Sequence, residues 1–96
     1  MSGSETPDSR IGPIGPTYFY DLLDYLEKRN ATSRDAVLAH IELTRVYGPA
    51  VAGAIKVAEG IYEIRVHIGY GLVAVIELER DRNGKLQPVL GEVVKR

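Results

Sequence analysis

The chain has no cysteine and no tryptophan. Without thiols it can form neither a disulfide nor a thiolate metal site. Its two histidines, His40 and His67, lie far apart in sequence, which is too few for a metal centre without carboxylate help, and none is expected. There is also no surplus of basic charge. Twelve Lys and Arg stand against thirteen Asp and Glu, a formal net charge of −1. Proteins that hold nucleic acid draw much of their affinity from neutralising phosphates, so the whole-molecule field will not steer this chain to a polyanion. No apolar run approaches the roughly 18 to 20 residues of a membrane span, and no signal peptide is visible. A soluble cytoplasmic protein without membrane association is therefore expected. No phosphate-cradling glycine loop or nucleophile–base pair stands out, and no cofactor is implied.

What is present is one ordinary domain. Ninety-six residues, 45% hydrophobic and 26% charged, suffice for a single two-layer core. Residues 1–16, rich in Pro, Gly and Ser, read as a flexible tail or linker, with Ile11 and Ile14 as its only potential anchors. The folded domain is then expected over residues 17–96. Thr17 suits a helix N-cap, and Phe19, Leu22, Leu23 and Leu26 recur at helical spacing up to a stop at Asn30. Thr32 and Asp35 have the spacing of a capping box for a second helix. Its apolar arc (Ala36, Val37, Ala39, Ile41, Leu43, Val46) is wide enough for two covered sides, and Gly48-Pro49 closes it. The short connection around Ala31 predicts an antiparallel helical hairpin.

From Ala50 the composition changes to strand formers. Ala54–Val57 is a short strand, and Ile61–Ile68 and Leu72–Arg80 flank Gly69-Tyr70-Gly71. The Asn83-Gly84 signal turns the chain back through Leu86–Val94, where Pro88 favours an edge position or a bulge. The fold class expected is α+β: an N-terminal antiparallel helical hairpin packed on a three- to four-stranded antiparallel sheet, one sheet face left open.

The stretch Glu59–Val75 organises this reading. Tyr62, Ile64, Val66 and Ile68 alternate with Glu63, Arg65 and His67, so a carboxylate, a guanidinium and an imidazole share one strand face. As a plain surface pair, Glu63 and Arg65 would contribute little. His40, mid-helix among no catalytic groups, reads as structural. A two-residue turn at Gly69-Tyr70 would place Arg65 opposite Ala74, Glu63 opposite Ile76 and His67 opposite Leu72, giving a partly apolar open face suited to docking a protein. A different turn length would exchange the second strand's faces. The charges Glu77, Glu79, Arg80, Asp81 and Arg82 read as a solvated hairpin tip.

Several signatures in this order resemble the RelE/HigB toxins of toxin–antitoxin modules. They are Tyr47-Gly48-Pro49, Ile55-Lys56-Val57, Gly60-Ile61-Tyr62-Glu63-Ile64-Arg65 and Val93-Val94-Lys95-Arg96. The resemblance spans about residues 16–96 and implies a RelE/ParE-like two-layer fold. It also implies a metal-independent, ribosome-dependent mRNA endonuclease that inhibits translation and is neutralised by an antitoxin. Carried over by position, Arg65 would clamp phosphate; Glu63 and His67, on the same strand face, are the accompanying catalytic candidates. Lys56, Lys95 and Arg96 would contact RNA. The chain departs from the family pattern at Ala74, where an arginine is wanted, and at Gly91-Glu92-Val93, where an aromatic is wanted. The family's opening strand has no counterpart in the Pro-Gly-rich start, and its final helix is missing. The resemblance therefore leaves two readings: an active or attenuated toxin-like nuclease, or a non-enzymatic protein-binding module on the same scaffold. The second could be a phage-encoded inhibitor of a host defence protein, in the manner of an anti-CRISPR, or a designed protein.

Overall fold

The Pro-Gly-rich start takes part in the fold. In the computed structural model, which describes residues 11–96, Ile14–Tyr18 forms a strand, β1. Helices α1 (Phe19–Arg29) and α2 (Ala31–Tyr47) follow, then β2 (Ile55–Ala58), β3 (Ile61–Gly69), β4 (Leu72–Arg80) and β5 (Leu86–Lys95). One antiparallel sheet has the strand order β1-β5-β4-β3-β2. This corrects the expected fold class in two respects. The sheet has five strands instead of three or four, and the helical pair follows a strand instead of forming the N-terminal element. Ile14–Pro16, assigned by composition to the tail, pair with β5 through Ile14↔Val93, while residues 1–10 of that tail lie outside the described residues. Pro16 is tolerated because β1 is an edge strand and needs no donor on its outer side. Ile11 is buried in the core and Ile14 packs against it.

Ladder pairing also displaces the expected caps. Thr17 is held by β5 opposite Gly91, so α1 begins at Phe19 with Tyr18 as an N-cap whose side chain makes no capping bond. Between the helices a single residue, Asn30, serves both ends. Its backbone N–H donates to Leu26 O (2.6 Å), and its side-chain oxygen accepts from Ser33 N (3.2 Å), so Asn30 caps α2 in place of Thr32. Only one stripe of α2 is buried (Ser33, Val37, Ile41, Thr44), whereas Leu38, Leu43, Val46 and Tyr47 are exposed. The wide apolar arc is thus covered on one side.

The core lies between the helices and one sheet face. Phe19, Leu22, Leu26, Val37 and Ile41 pack on Ile64, Val66, Ala74, Ile76, Leu78 and Val93. The helix comes close to the sheet at Gly91, where an added Cβ would stand 2.5 Å from Leu22 Cδ2. An aromatic cannot occupy that segment's inward position, because α1 already does. Pro88 sits in an interior strand beside a bulge: Leu78 pairs with Pro88 and Glu77 with Leu90, leaving Val89 unpaired. The β4–β5 connection is longer than a two-residue Asn-Gly turn. Arg80 pairs with Leu86, and Asp81 Oδ1 accepts from Asn83 N (2.8 Å) and Lys85 N (3.0 Å).

Candidate functional site on the open sheet face

The faces of β3 and β4 are set by their hairpin. Its two-residue loop is Tyr70-Gly71, not Gly69-Tyr70: Gly69 pairs with Leu72, and both loop residues have positive φ (57° and 71°). Ile68 is bulged, because His67 pairs with Val73 and Gly69 with Leu72. The result is a register one residue away from the expected one. Arg65 lies opposite Val75, Glu63 opposite Glu77 and His67 opposite Val73. A slip of one residue exchanges every side chain between faces. Leu72, Ala74 and Ile76 therefore belong to the core, and Ala74 is fully buried there. It does not occupy a vacant catalytic position beside Arg65. The register places Val75 there.

The open face can be read in rows across the strands. One row runs Ile55, Glu63, Glu77, Leu90, Tyr18; the next Arg65, Val75, Glu92; a third His67, Val73, Val94; and Ile61, Glu79, Gln87 lie at the other end. Val73 and Val75 form a buried floor between these rows. Four carboxylates (Glu63, Glu77, Glu79, Glu92) share this face with Arg65. The guanidinium pairs with Glu63 at 3.5 Å and remains 60% exposed, so the pair contributes at most about 1 kcal/mol. Across the β3–β4 pair Glu63 and Glu77 are direct neighbours, an unfavourable arrangement of like charges. Burial, the hydrogen bond and charge of Glu79, and the charge of Glu63 push the Glu77 carboxyl above the usual carboxylate range.

Of the residues nominated from sequence, Glu63, Arg65 and His67 share this face. Lys56 pairs with Tyr62 and Lys95 with Leu72, which puts both on the helix-bearing side of the sheet. Lys56 is engaged by Glu59 at 3.3 Å. Arg96, beyond β5, donates its backbone N–H to Gly71 O at the far end of the β3–β4 hairpin. Basic side chains are thus not gathered around Arg65. His40 Nε2 donates to the Ala52 carbonyl (3.1 Å), tying α2 to the following loop. Among the described residues no three His, Asp or Glu side chains are placed to hold a metal ion.

Residue-by-residue reading missed the roles of Glu77, Glu79 and Glu92. Composition puts Glu77 and Glu79 in a solvated tip, although Val73-x-Val75-x-Glu77-x-Glu79 alternates strictly and places all four on one face once the register is known. The edge of the sheet was missed as well. β2 pairs only with Ile61–Glu63, leaving β3 from Arg65 onward without a neighbour on that side. There a groove of about 510 Å³ separates Arg65–His67 from Ala36, Ala39, His40 and Leu43 of α2. Ser33 Oγ donates to Ile68 O (3.0 Å), tying the start of α2 to the end of β3.

No family model, curated protein or solved structure matches the chain. No helix among the described residues is long and apolar enough to cross a membrane.

Proposed function

We propose that this protein is a non-enzymatic, cytoplasmic protein-binding module. Its open sheet face receives a partner surface that carries lysine or arginine side chains around an apolar centre. The observation that carries this reading is the composition of that face: four carboxylates and an exposed arginine around a floor of Val73 and Val75. A phosphodiester-cleaving site needs cations where charge builds on phosphate. Here Arg65 has Glu63 on its own strand, Glu77 diagonally across on β4 and Glu92 beyond Val75 on β5, and Lys56 and Lys95 lie on the other side of the sheet. RNA approaching this face would meet net negative charge. A basic protein surface would relieve the like-charge repulsion that adds to burial in raising the Glu77 carboxyl, and half-buried Leu90 and Val94 beside the Val73–Val75 floor would supply the apolar contact that protein interfaces use. Exposed Ile55 at one end of a row and exposed Tyr18 at the other extend the contact surface.

Two measurements test this reading together. In a cell-free translation extract the full chain should leave translation and mRNA intact, with Arg65→Ala indistinguishable from wild type. Capture from lysate should yield a stoichiometric partner that Glu77→Lys combined with Glu92→Lys releases while folding is retained by circular dichroism. Ribosome-dependent mRNA cleavage abolished by Arg65→Ala would overturn the proposal in favour of the toxin reading. A partner held equally well by the charge-reversed variant would overturn the assignment of the face.

A further inference from the structure

Basic side chains converge elsewhere, where the end of α2 meets the β4–β5 connection. A cavity of about 180 Å³ there is lined by Arg45, Arg80 and Lys85 together with Gly48, Pro49 and Leu86. By the share of liquid volume taken by a water, this is room for about six waters, or for one small tetrahedral oxyanion with the first atoms attached to it. The three cations come from three different elements: the last turn of α2, the end of β4 and the connecting loop.

Two of the cations are fixed in place. Arg45 donates through Nε to Leu86 O and through Nη2 to Gln87 Oε1, both at 2.9 Å. Arg80 donates through Nη1 to Gly84 O (2.7 Å), and its guanidinium stands 5.5 Å from the centre of the Tyr62 ring. These bonds leave Arg45 Nη1, Arg80 Nε and Nη2, and Lys85 Nζ without a hydrogen-bond partner among the described residues. Lys28, Arg34, Lys56 and Arg65 each have a carboxylate within 3.5 Å, whereas none of the cavity's three cations has one among the described residues. The loop's own carboxylate, Asp81, is committed to the Asn83 and Lys85 amides and to Gln87 Nε2.

We infer that this cavity is a binding site for a phosphate group, as inorganic phosphate or as the monoester of a small metabolite. A planar carboxylate with a single charge would satisfy one cation. A phosphate, with a charge of about −1.5 to −2 and three free oxygens, answers donors that arrive from three directions. Guanidinium groups already aligned by carbonyl bonds lose little freedom on meeting it. The C-terminal carbonyls of α2 oppose an anion, but their effect is equivalent to about half a charge, and Gly48 N already caps Thr44 O (2.9 Å). Three cations outweigh it. The ordinary alternative is that Arg45 and Arg80 only tie backbone carbonyls together. Lys85 makes no such bond, so it separates the two readings.

The experiment is an amide NMR titration of the full chain with sodium phosphate and, separately, with glycerol phosphate, ionic strength being held constant with sodium chloride. Saturable shifts are expected at Thr44–Gly48 and Gly84–Gln87 and not with chloride. Lys85→Gln and Arg80→Gln should each weaken binding by about tenfold or more. Lys85→Gln should also retain the amide spectrum of the folded chain in phosphate-free buffer. Tighter binding of glycerol phosphate identifies the ester as the ligand, and equal or tighter binding of inorganic phosphate identifies the free anion. Shifts that grow linearly, that chloride reproduces, or that persist unchanged in both variants would overturn the inference. None of these outcomes depends on the open-face partner.

Discussion

Gly91 allows a quantitative test of how the helices sit on the sheet. Replacing it with alanine adds a Cβ that would stand 2.5 Å from Leu22 Cδ2 and 3.0 Å from Ile76 Cδ1. Both neighbours are completely buried, so neither methyl can swing into open space. Overfilling a packed core in this way costs about 1–3 kcal/mol. Against it, alanine restricts the unfolded chain, which stabilises by about 0.4–1 kcal/mol where the backbone tolerates the change. The backbone does so here, because Gly91 is not among the glycines with positive φ. The clash wins, and Gly91→Ala should be less stable by about 0.5–2 kcal/mol. For a domain of this size the middle of that range lowers the melting temperature by about 5–10 °C. Urea denaturation followed by circular dichroism measures it, with the midpoint falling and the slope unchanged. Leu22→Ala removes the opposing methyls, so the double variant Leu22→Ala/Gly91→Ala should lose less than the sum of the single losses, by about 0.5–3 kcal/mol. A neutral or stabilised Gly91→Ala, or strict additivity in the double variant, would refute the close approach of α1 to β5.

Three further outcomes are expected. Ser33→Ala removes the donor to the Ile68 carbonyl at a buried site, so it should cost about 1–3 kcal/mol in chemical denaturation. Asn30→Ala removes the side-chain cap of α2 and should cost about 1 kcal/mol, while Asn30→Asp retains an acceptor and most of the stability. The Glu77 carboxyl lies above its ordinary range in the folded chain, so the folded state binds more protons than the unfolded one between the unfolded value and that raised value. Stability should therefore fall as pH rises through this window, and Glu77→Gln should flatten the dependence and raise the melting temperature at neutral pH. Asp81 has the opposite sign. Bonds from Gln87, Lys85 and Asn83 hold its carboxyl below the ordinary range, so its contribution disappears as pH falls through that lowered value.

The helical stripe, the strand alternation and the turn glycines were legible because each is a local property. Phe19, Leu22 and Leu26 point one way along a helix whatever they pack against, and Tyr62, Ile64 and Val66 alternate with Glu63 and Arg65 in any extended chain. Gly48 ends α2 with a φ of 93°, as its place before Pro49 implied. β1 was not legible. Ile14-Gly-Pro-Thr-Tyr has poor strand propensity, and only pairing with β5, more than seventy residues away, makes it a strand. Asn30 was recognised as a stop for α1, but its second role as the cap of α2 depends on a one-residue connection that spacing alone did not reveal.

For the candidate site, residue order alone puts Glu63, Arg65 and His67 on one face, since side chains two apart on a strand must share it. Composition sets the near-neutral charge, which weighs against a polyanion partner for the molecule as a whole. What stands opposite these residues depends on strand pairing. The bulge at Ile68 and the Tyr70-Gly71 loop shift the pairing by one residue, which places Ala74 in the core and puts Val75, Glu77 and, one strand further, Glu92 on the face of Arg65. Arg45, Arg80 and Lys85 reach one cavity through the packing of α2 against the β4–β5 connection, a juxtaposition no local pattern encodes. Register and packing are non-local, and in this protein they determine whether a strand bearing an arginine lies in a basic groove or an acidic face.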